Sequence, residues 1–263
     1  FMVVEMGVSS SEAISRVHPI LASVPSYRTE GAFFPEDYCE LSECVTALEK
    51  AHSLGWLNHI VDGKSKRINE KQLQEMERLE DPSNGDISWI IPDRLIALAG
   101  PLKHDDPKTF PGAPDLGEVM EQLVSMNVGC IVRLNRAHYK QTDIPKTIQL
   151  VDFFVHDGSV PEVKMVADFQ QLVERQWQKG KAVAVHCRAG LGRTGTFIGT
   201  VLMDWFGFSA AEAIAYMRIT RPGMVLGDQS LYLKSYHENH SSSAFTIDVK
   251  RGKHGPEQHQ PKL

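Results

Sequence analysis

Residues 183–196 place a cysteine, two arginines and three glycines where a strand gives way to a helix. Their sequence is Val-Ala-Val-His-Cys-Arg-Ala-Gly-Leu-Gly-Arg-Thr-Gly-Thr. The apolar run 181–185 predicts a buried strand that ends at His186. A helix is predicted to begin near Arg193, because apolar residues then recur at every third or fourth position: Phe197, Ile198, Val201, Leu202 and Trp205. The loop that contains Cys187 therefore joins the end of a strand to the N-terminus of a helix.

A loop in this position can bind a phosphate dianion. Backbone N–H groups at the N-terminus of a helix lack intrahelical partners, and the helix dipole favours an anion there. Gly190, Gly192 and Gly195 let the chain turn sharply, so that successive N–H groups can converge on one anion. Because such a site favours a thiolate over a thiol, Cys187 is the candidate nucleophile for phosphoryl transfer.

Other residues of the loop fit the same chemistry. The planar guanidinium group of Arg193 can hold two phosphoryl oxygens and stabilise the charge of the transition state. Thr194 can donate a hydrogen bond to the sulfur when it leaves a phosphorylated cysteine. His186 is expected to orient the loop through hydrogen bonds and not to act as a base. The predicted phosphate-binding residues are Arg188, Ala189, Gly190, Leu191, Gly192 and Arg193.

Three other interpretations of the loop fit less well. A buried structural cysteine beside a glycine-rich turn does not explain why His, Cys, Arg and Thr occur together at this junction. A nucleotide-binding loop requires Gly-Lys-Ser or Gly-Lys-Thr after the glycines, and this loop has none. A Cys-His protease pair usually comes from distant positions, whereas His186 and Cys187 are adjacent and point to opposite faces of a strand.

The segment 186–195 resembles the signature loop of the cysteine-dependent dual-specificity protein phosphatases. It is most similar to the mitotic-exit branch, named for cell division cycle 14, and the resemblance covers about residues 87–238. Four further segments agree: 89–92, 132–135, 157–159 and 221–223. Arg188 departs from the branch, which usually has Lys at this position. The side chain keeps a positive charge, but its charged group has a different shape and reach. The resemblance implies a cysteinyl-phosphate intermediate, no metal and no cofactor, and a role in the cell cycle.

Asp157 is the candidate general acid, since a departing alkoxide or phenolate needs a proton. Residues 148–155 predict a strand, and the turn that follows would place Asp157 on a loop at the end of that strand. The resemblance places the acid of the family at this same position. A turn-forming Asp is the alternative. Asp152, inside the strand, and Asp143, before a proline, are weaker candidates for the acid.

Two further features accompany this loop. Ser159 and Glu162 have the spacing of a capping box, which predicts a helix that begins at this turn. The resemblance assigns Gln229 to a position that orients the water for hydrolysis of the cysteinyl phosphate. A solvated or capping glutamine is the alternative at Gln229.

Composition limits the class of protein. The chain has 263 residues, of which 42% are hydrophobic and 23% charged, as in an ordinary globular domain with an extension. A formal net charge of −5 argues against a broad surface for nucleic acid or anionic membranes. Its four cysteines form no disulfide framework and contain no CxxC pair of the kind that binds a metal, and no apolar run is long enough to span a membrane. A reducing cytoplasm or nucleus suits a catalytic thiolate.

Alternating strand and helix patterns predict an α/β fold. Residues 1–34 show little periodicity, and the first predicted helix extends from Tyr38 to near Gly55. A second covers 68–80, with Leu73, Met76 and Leu79 as its buried residues. We predict a mainly helical N-terminal extension (1–85), a catalytic domain (86–240) and a polar tail (241–263). The resemblance adds a central mixed β-sheet with helices on both faces.

The leading hypothesis is a phosphatase for phosphotyrosine and for phosphoserine or phosphothreonine in proteins. A phosphoinositide phosphatase is the first alternative, although Leu191 stands where lipid phosphatases carry a second Lys. An RNA 5′-triphosphatase is disfavoured because no basic run is present. A non-catalytic module that captures phosphoproteins belongs to a different class, and the presence of both Cys187 and Asp157 argues against it.

Overall fold

The computed structural model describes residues 2–21, 24–32, 37–58, 69–102 and 113–240. The predicted polar tail, 241–263, lies outside these described residues.

A five-stranded sheet forms the centre of the fold. Its strands are β1 (Ile87–Ile91), β2 (Leu95–Leu98), β3 (Val128–Arg133), β4 (Gln149–Asp152) and β5 (Ala182–His186). Their order is β1-β2-β5-β3-β4; β1 pairs antiparallel with β2, and the other neighbours are parallel. The sheet is therefore mixed, as expected, and β5 lies in its middle. The predicted strand 148–155 is shorter in the structure.

Eight α-helices occur among the described residues. They are α1 (Ser10–Leu21), α2 (Leu41–Ser53), α3 (Glu70–Glu80), α4 (Leu116–Ser125), α5 (Val163–Gln178), α6 (Gly192–Phe206), α7 (Ala210–Thr220) and α8 (Asp228–His240). Short 3₁₀ helices cover Pro82–Asn84 and Gln141–Asp143. None of these helices is long and apolar enough, within the part of the chain described, to cross a membrane.

Side chains of the central strand alternate between two cores. Val183 and Val185 of β5 pack with the helices α5 to α8, whereas Ala182 and Ala184 pack with α4 on the other face. This period of two follows from the strand geometry and puts helices on both faces of the sheet, as predicted. Cys187 continues the alternation and belongs to the core shared with α6.

Three details of the sequence-based interpretation are wrong. Helix α1 lies within residues 1–34, where the sequence was interpreted as having little periodicity and no helix was predicted. Leu73 is 37% exposed, so only Leu79 of the three residues expected to be buried on α3 is fully buried. Helix α5 starts at Val163 with Glu162 as its N-cap and has no capping box. Pro161 accounts for the later start, because the residue before a proline avoids helical geometry.

The N-terminal helices pack against α7 through α2. Trp56, just beyond α2, stacks on Phe208 with a centroid distance of 5.6 Å and meets Phe206 edge-to-face. Lys50 forms an ion pair of 2.9 Å with Glu212 on α7. Aromatic contacts of this kind contribute about 0.5–1.5 kcal/mol each beyond the area that they bury.

Candidate active site

The loop between β5 and α6 lies at the carboxyl end of the central strand. Ligands of α/β sheets bind at this edge. The loop begins directly after His186 and ends at Gly192, where α6 starts, so it combines a strand end with a helix N-terminus. Cys187 is only 3% exposed at the start of the loop.

The backbone of this loop has a uniform orientation. Five consecutive carbonyls, those of residues 186–190, accept hydrogen bonds of 2.9–3.0 Å from groups outside the loop or from the His186 ring. Their partners are, in chain order, Leu134 N, His186 Nδ1, Gly100 N, Arg221 Nη2 and Arg221 Nε. Each peptide N–H points opposite to its carbonyl. The N–H groups of residues 187–191 therefore point into the loop, as an anion site requires.

Two glycines are required by close packing of this loop. Gly190 has a φ of +67°, and a Cβ there would collide with the carbonyl of Leu98. A Cβ on Gly192 would overlap the side-chain amide of Gln229. Gly190 thus permits the turn, and Gly192 lets Gln229 contact the first turn of α6.

The environment of Cys187 favours its thiolate. Burial raises the pKa of this thiol, but the adjacent Thr194 hydroxyl and the charge of Arg193 outweigh burial. The backbone N–H groups of Thr194 and Leu191 add to this effect, so the net pKa lies below the ordinary value of 9.0. Donors that stabilise the charged sulfur are the ones that would stabilise it as a leaving group.

Arg193 connects the loop to Asp157. Its Nη2 lies 2.8 Å from Asp157 Oδ1, and its Nη1 donates to the carbonyl of Val155 at 3.0 Å. Arg193 is 5% exposed, whereas the Asp157 side chain is 76% exposed on the turn after β4. The structure therefore brings the candidate acid, from the loop after a separate strand, to Arg193, the candidate phosphate-binding arginine.

Gln229 lies on the first turn of α8 and is 6% exposed. Its Nε2 donates to the carbonyl of Ser159 at 3.2 Å, while its amide contacts Gly192. It therefore joins the loop of the candidate acid to the start of α6. The Arg188 side chain is exposed at the rim of the site.

His186 takes part in a buried hydrogen-bond chain. Its Nε2 is 2.6 Å from the hydroxyl of Tyr139, and its Nδ1 is 3.0 Å from the carbonyl of Cys187. Arg133 donates to the carbonyl of Tyr139 and forms a bidentate ion pair with Asp152. Asp152, a weaker candidate for the acid, thus pairs with a buried arginine in the structure. Sequence reasoning missed Tyr139, which lies 47 positions from His186.

Stability should decrease in mild acid because of His186. Burial lowers the pKa of His186 to about 4, from 6.5, so the unfolded chain binds this proton at a higher pH than the native state does. We expect His186 to leave the free energy of unfolding unchanged above pH 6.5. Between pH 6.5 and pH 4 it should lower that free energy by up to about 1.4 kcal/mol per pH unit.

Urea unfolding of the wild type and of His186→Gln at neutral pH and within this window isolates the contribution of His186. The wild type should lose more stability on acidification than the variant does. An identical loss in both proteins would contradict a buried neutral His186.

Arg221 is the second residue that sequence reasoning missed as a site component. It is 3% exposed, donates to the carbonyls of Ala189 and Gly190, and forms an ion pair of 2.7 Å with Asp86. It also donates to the Ser88 hydroxyl at 3.0 Å. In the sequence, Arg221 was noted only as part of the segment 221–223. That segment supports the resemblance to the phosphatase family but does not assign a role to Arg221.

Arg221→Met should lower the free energy of unfolding by about 1–3 kcal/mol and raise KM, because two buried carbonyls lose their donor and the loop loosens. Chemical unfolding and steady-state kinetics measure the two effects. Arg78→Met is the matched control: Arg78 forms an exposed ion pair with Glu75, and its loss should change stability by less than about 0.5 kcal/mol. Equal effects of the two substitutions would contradict the role of Arg221.

Asp143, the other weaker candidate for the acid, caps the 3₁₀ helix Gln141–Asp143 by accepting from the Lys140 N–H at 2.8 Å. No group of three or more His, Cys, Asp or Glu side chains that could hold a metal ion occurs among the residues that the structure describes.

Comparisons with known proteins agree with this geometry. A family model described as "Polymorphic toxin system, DSP-PTPase phosphatase" matches residues 111–207. Dual specificity protein phosphatase CDC14B of Mus musculus is 37% identical over 197 residues, which cover 74% of this chain and 38% of that protein. Tyrosine-protein phosphatase CDC14 of Candida albicans is 31% identical over 250 residues, which cover 95% of this chain and 44% of that protein. These matches, at 31–37% identity over most of the chain, support a CDC14-like dual-specificity phosphatase.

The CDC14-like similarity extends beyond the expected residues 87–238. A match over 95% of the chain must include most of residues 1–85, so the extent inferred from the motifs was too short. The chain spans less than half the length of these two curated relatives. Among solved structures, the crystal structure of PTPMT1 has 21% sequence identity and a TM-score of 0.50. The match covers 60% of this chain and 98% of the PTPMT1 chain, and it supports the fold alone.

Proposed function

We propose that this chain hydrolyses phosphotyrosine and phosphoserine or phosphothreonine monoesters in proteins through a cysteinyl-phosphate intermediate. The observation that carries the proposal is the 2.8 Å contact between Asp157 Oδ1 and Arg193 Nη2, beside a thiol whose pKa is lowered. A nucleophile, an anion-binding arginine and an exposed carboxyl group then share one site.

The first step transfers the phosphoryl group to Cys187. The N–H groups of residues 187–191 and the guanidinium group of Arg193 hold the phosphoryl oxygens and neutralise the charge that develops on them. The thiolate forms a bond to phosphorus while the ester oxygen leaves. Asp157 gives that oxygen its proton, so the product departs as an alcohol or a phenol.

The second step hydrolyses the cysteinyl phosphate. The Asp157 carboxylate, now deprotonated, accepts a proton from water as the water attacks phosphorus. Thr194 donates to the departing sulfur and stabilises it as a thiolate. Gln229, which joins the Ser159 carbonyl to the start of α6, is positioned to orient this water. His186 and Arg221 do not touch the reacting atoms and act as positioning residues for the loop.

The proposed partners are phosphoproteins, and the proposed location is the cytoplasm or the nucleus. No metal or nucleic acid enters the proposed reaction. We also propose that residues 86–240 form the catalytic domain, residues 1–85 an extension and residues 241–263 a tail. Two contacts support a positioning role for the extension: Thr29 Oγ1 accepts from Gly223 N at 2.7 Å, and Asp37 Oδ1 accepts from Gly227 N at 2.9 Å.

A substrate panel tests the proposed function. Phosphotyrosine, phosphoserine and phosphothreonine peptides are compared with soluble phosphoinositides under identical conditions, with a chelator present and absent. We expect the highest kcat/KM among the phosphopeptides and no effect of the chelator. Higher kcat/KM on phosphoinositides, or loss of activity with the chelator, would contradict the proposal.

A further inference from the structure

The α7–α8 loop (residues 222–227) leads directly to Gln229 of the candidate active site. Three of its residues have a positive φ: Gly223 (+86°), Val225 (+56°) and Gly227 (+57°). This geometry is strained for a β-branched residue such as Val225, so it persists only where surrounding contacts hold it. The position of Gln229 therefore depends on the groups that hold this loop.

The inner face of the α7–α8 loop packs against the first turn of α6. Met224 and Val225 are fully buried there. A Cβ on Gly195 would overlap the side chain of Val225, as a Cβ on Gly192 would overlap the amide of Gln229. Loop and helix are thus in close contact, and a shift of the loop would move Gln229 relative to the phosphate-binding residues.

Arg218 of α7 holds the middle of this loop. The buried guanidinium group donates from Nε to the carbonyl of Met224 at 3.2 Å and from Nη2 to the carbonyl of Val225 at 2.5 Å. Its Nη1 donates to the carbonyl of Asp37, which belongs to the N-terminal extension. One side chain therefore joins the α7–α8 loop to the extension.

Two side chains of the extension hold the ends of the same loop. Thr29 Oγ1 accepts from Gly223 N at 2.7 Å, and Asp37 Oδ1 accepts from Gly227 N at 2.9 Å. Asp37 Oδ1 also lies 3.8 Å from Arg218 Nη2. Thr29 and Asp37 are both buried, so loss of either acceptor would leave a backbone N–H group without its partner.

We propose that Asp37 and Thr29 are positioning residues for hydrolysis of the cysteinyl phosphate, and that they act through the α7–α8 loop on Gln229. The inference rests on the proposed function, in which Gln229 orients the attacking water. Loss of either acceptor displaces Gln229 and slows the second step. Transfer of the phosphoryl group to Cys187 uses Asp157 as its acid and changes less.

Pre-steady-state kinetics with p-nitrophenyl phosphate separates the two steps. In Asp37→Ala, the initial burst of p-nitrophenol should keep nearly the wild-type rate constant. The steady-state rate should fall by about 10- to 100-fold, the scale for a misplaced catalytic group. Acid quenching and intact mass should then show a larger fraction of phosphoenzyme than in the wild type. Equal slowing of both steps, or a phosphoenzyme fraction no larger than that of the wild type, would overturn the proposal.

Thr29→Val is a second and milder variant, because it keeps nearly the same shape and loses only the acceptor for Gly223 N. It should shift the ratio of the two rate constants in the same direction, and Thr29→Ser, which keeps the hydroxyl, should restore the ratio. Lys50→Met is the control: Lys50 joins the extension to Glu212, at the opposite end of α7 from the loop. The same shift in Lys50→Met would contradict a specific role for Asp37 and Thr29.

A double-mutant cycle shows whether Asp37 acts through Gln229. In the Gln229→Ala background, Asp37→Ala should slow hydrolysis of the phosphoenzyme little further, since residues that act as a unit are not additive. Full additivity of the two losses would overturn this route.

Hydrogen exchange without substrate tests the hold on the loop itself. Amides of residues 222–231 should exchange faster in Asp37→Ala than in the wild type, and Lys50→Met should not change them. Exchange in Asp37→Ala equal to that of the wild type would overturn the inference. This measurement needs no turnover, so the two proposals fail separately: a wild type that never forms a phosphoenzyme contradicts the proposed function, whereas unchanged exchange contradicts the inference alone.

Discussion

Cys187→Ser should lower kcat on a phosphotyrosine peptide by at least about 10⁴-fold, as loss of a nucleophile does in other enzymes. The reason lies in the contacts around the sulfur. Thr194, Arg193 and two backbone N–H groups keep the pKa of the Cys187 thiol low, whereas a serine hydroxyl stays protonated near neutral pH. The anion site itself remains, since the N–H groups of residues 187–191 and the guanidinium group of Arg193 are unchanged.

Steady-state kinetics and phosphate binding, measured on the same preparation, separate these two effects. The variant should lose turnover and retain affinity for inorganic phosphate. Cys130→Ser is the matched control, because Cys130 is also buried but lies within β3, and this variant should keep most of the activity. Turnover by Cys187→Ser close to that of the wild type would exclude Cys187 as the nucleophile.

Asp157→Asn should reduce kcat by about 10²–10⁴-fold on phosphopeptides, which is the usual contribution of a general acid. The loss should be much smaller for p-nitrophenyl phosphate, because p-nitrophenolate leaves readily without a proton. Affinity for inorganic phosphate should rise, since the Asp157 carboxylate no longer competes for Arg193 Nη2.

Asp152→Asn is the control for this leaving-group test. Asp152 pairs with Arg133, so this variant should be less stable but should lose activity equally on both classes of substrate. Equal losses on phosphopeptides and on p-nitrophenyl phosphate for Asp157→Asn would contradict a general-acid role for Asp157.

Patterns within short segments predicted much of the fold. The apolar run 181–185, followed by the apolar spacing after Arg193, was enough to place the cysteine loop at a strand end. Ser209 and Glu212 form a capping box at the start of α7, and their Ser-x-x-Glu spacing is the usual sequence pattern of such a box. Local geometry and burial act together in these segments, so the sequence pattern is clear.

Contacts between distant residues could not be predicted in this way. The bonds of Tyr139 with His186 and of Arg221 with Gly190 join positions 47 and 31 residues apart. Ser159 is an example of a local pattern that misleads. Its spacing with Glu162 predicts a helix cap, but in the fold its carbonyl accepts a hydrogen bond from Gln229. Tertiary contacts decide such positions, and no spacing within a short segment encodes them.

Acid quenching during turnover should trap the cysteinyl phosphate on Cys187 that the proposed reaction requires. The Gln229→Ala variant, in which we expect the second step to slow, is mixed with excess phosphotyrosine peptide, quenched and analysed by peptide mass. We predict one phosphoryl group on the peptide that contains Cys187, and none when Cys187→Ser is added. A phosphoryl group on another residue, or product formation with no phosphorylated protein at any time, would contradict the account.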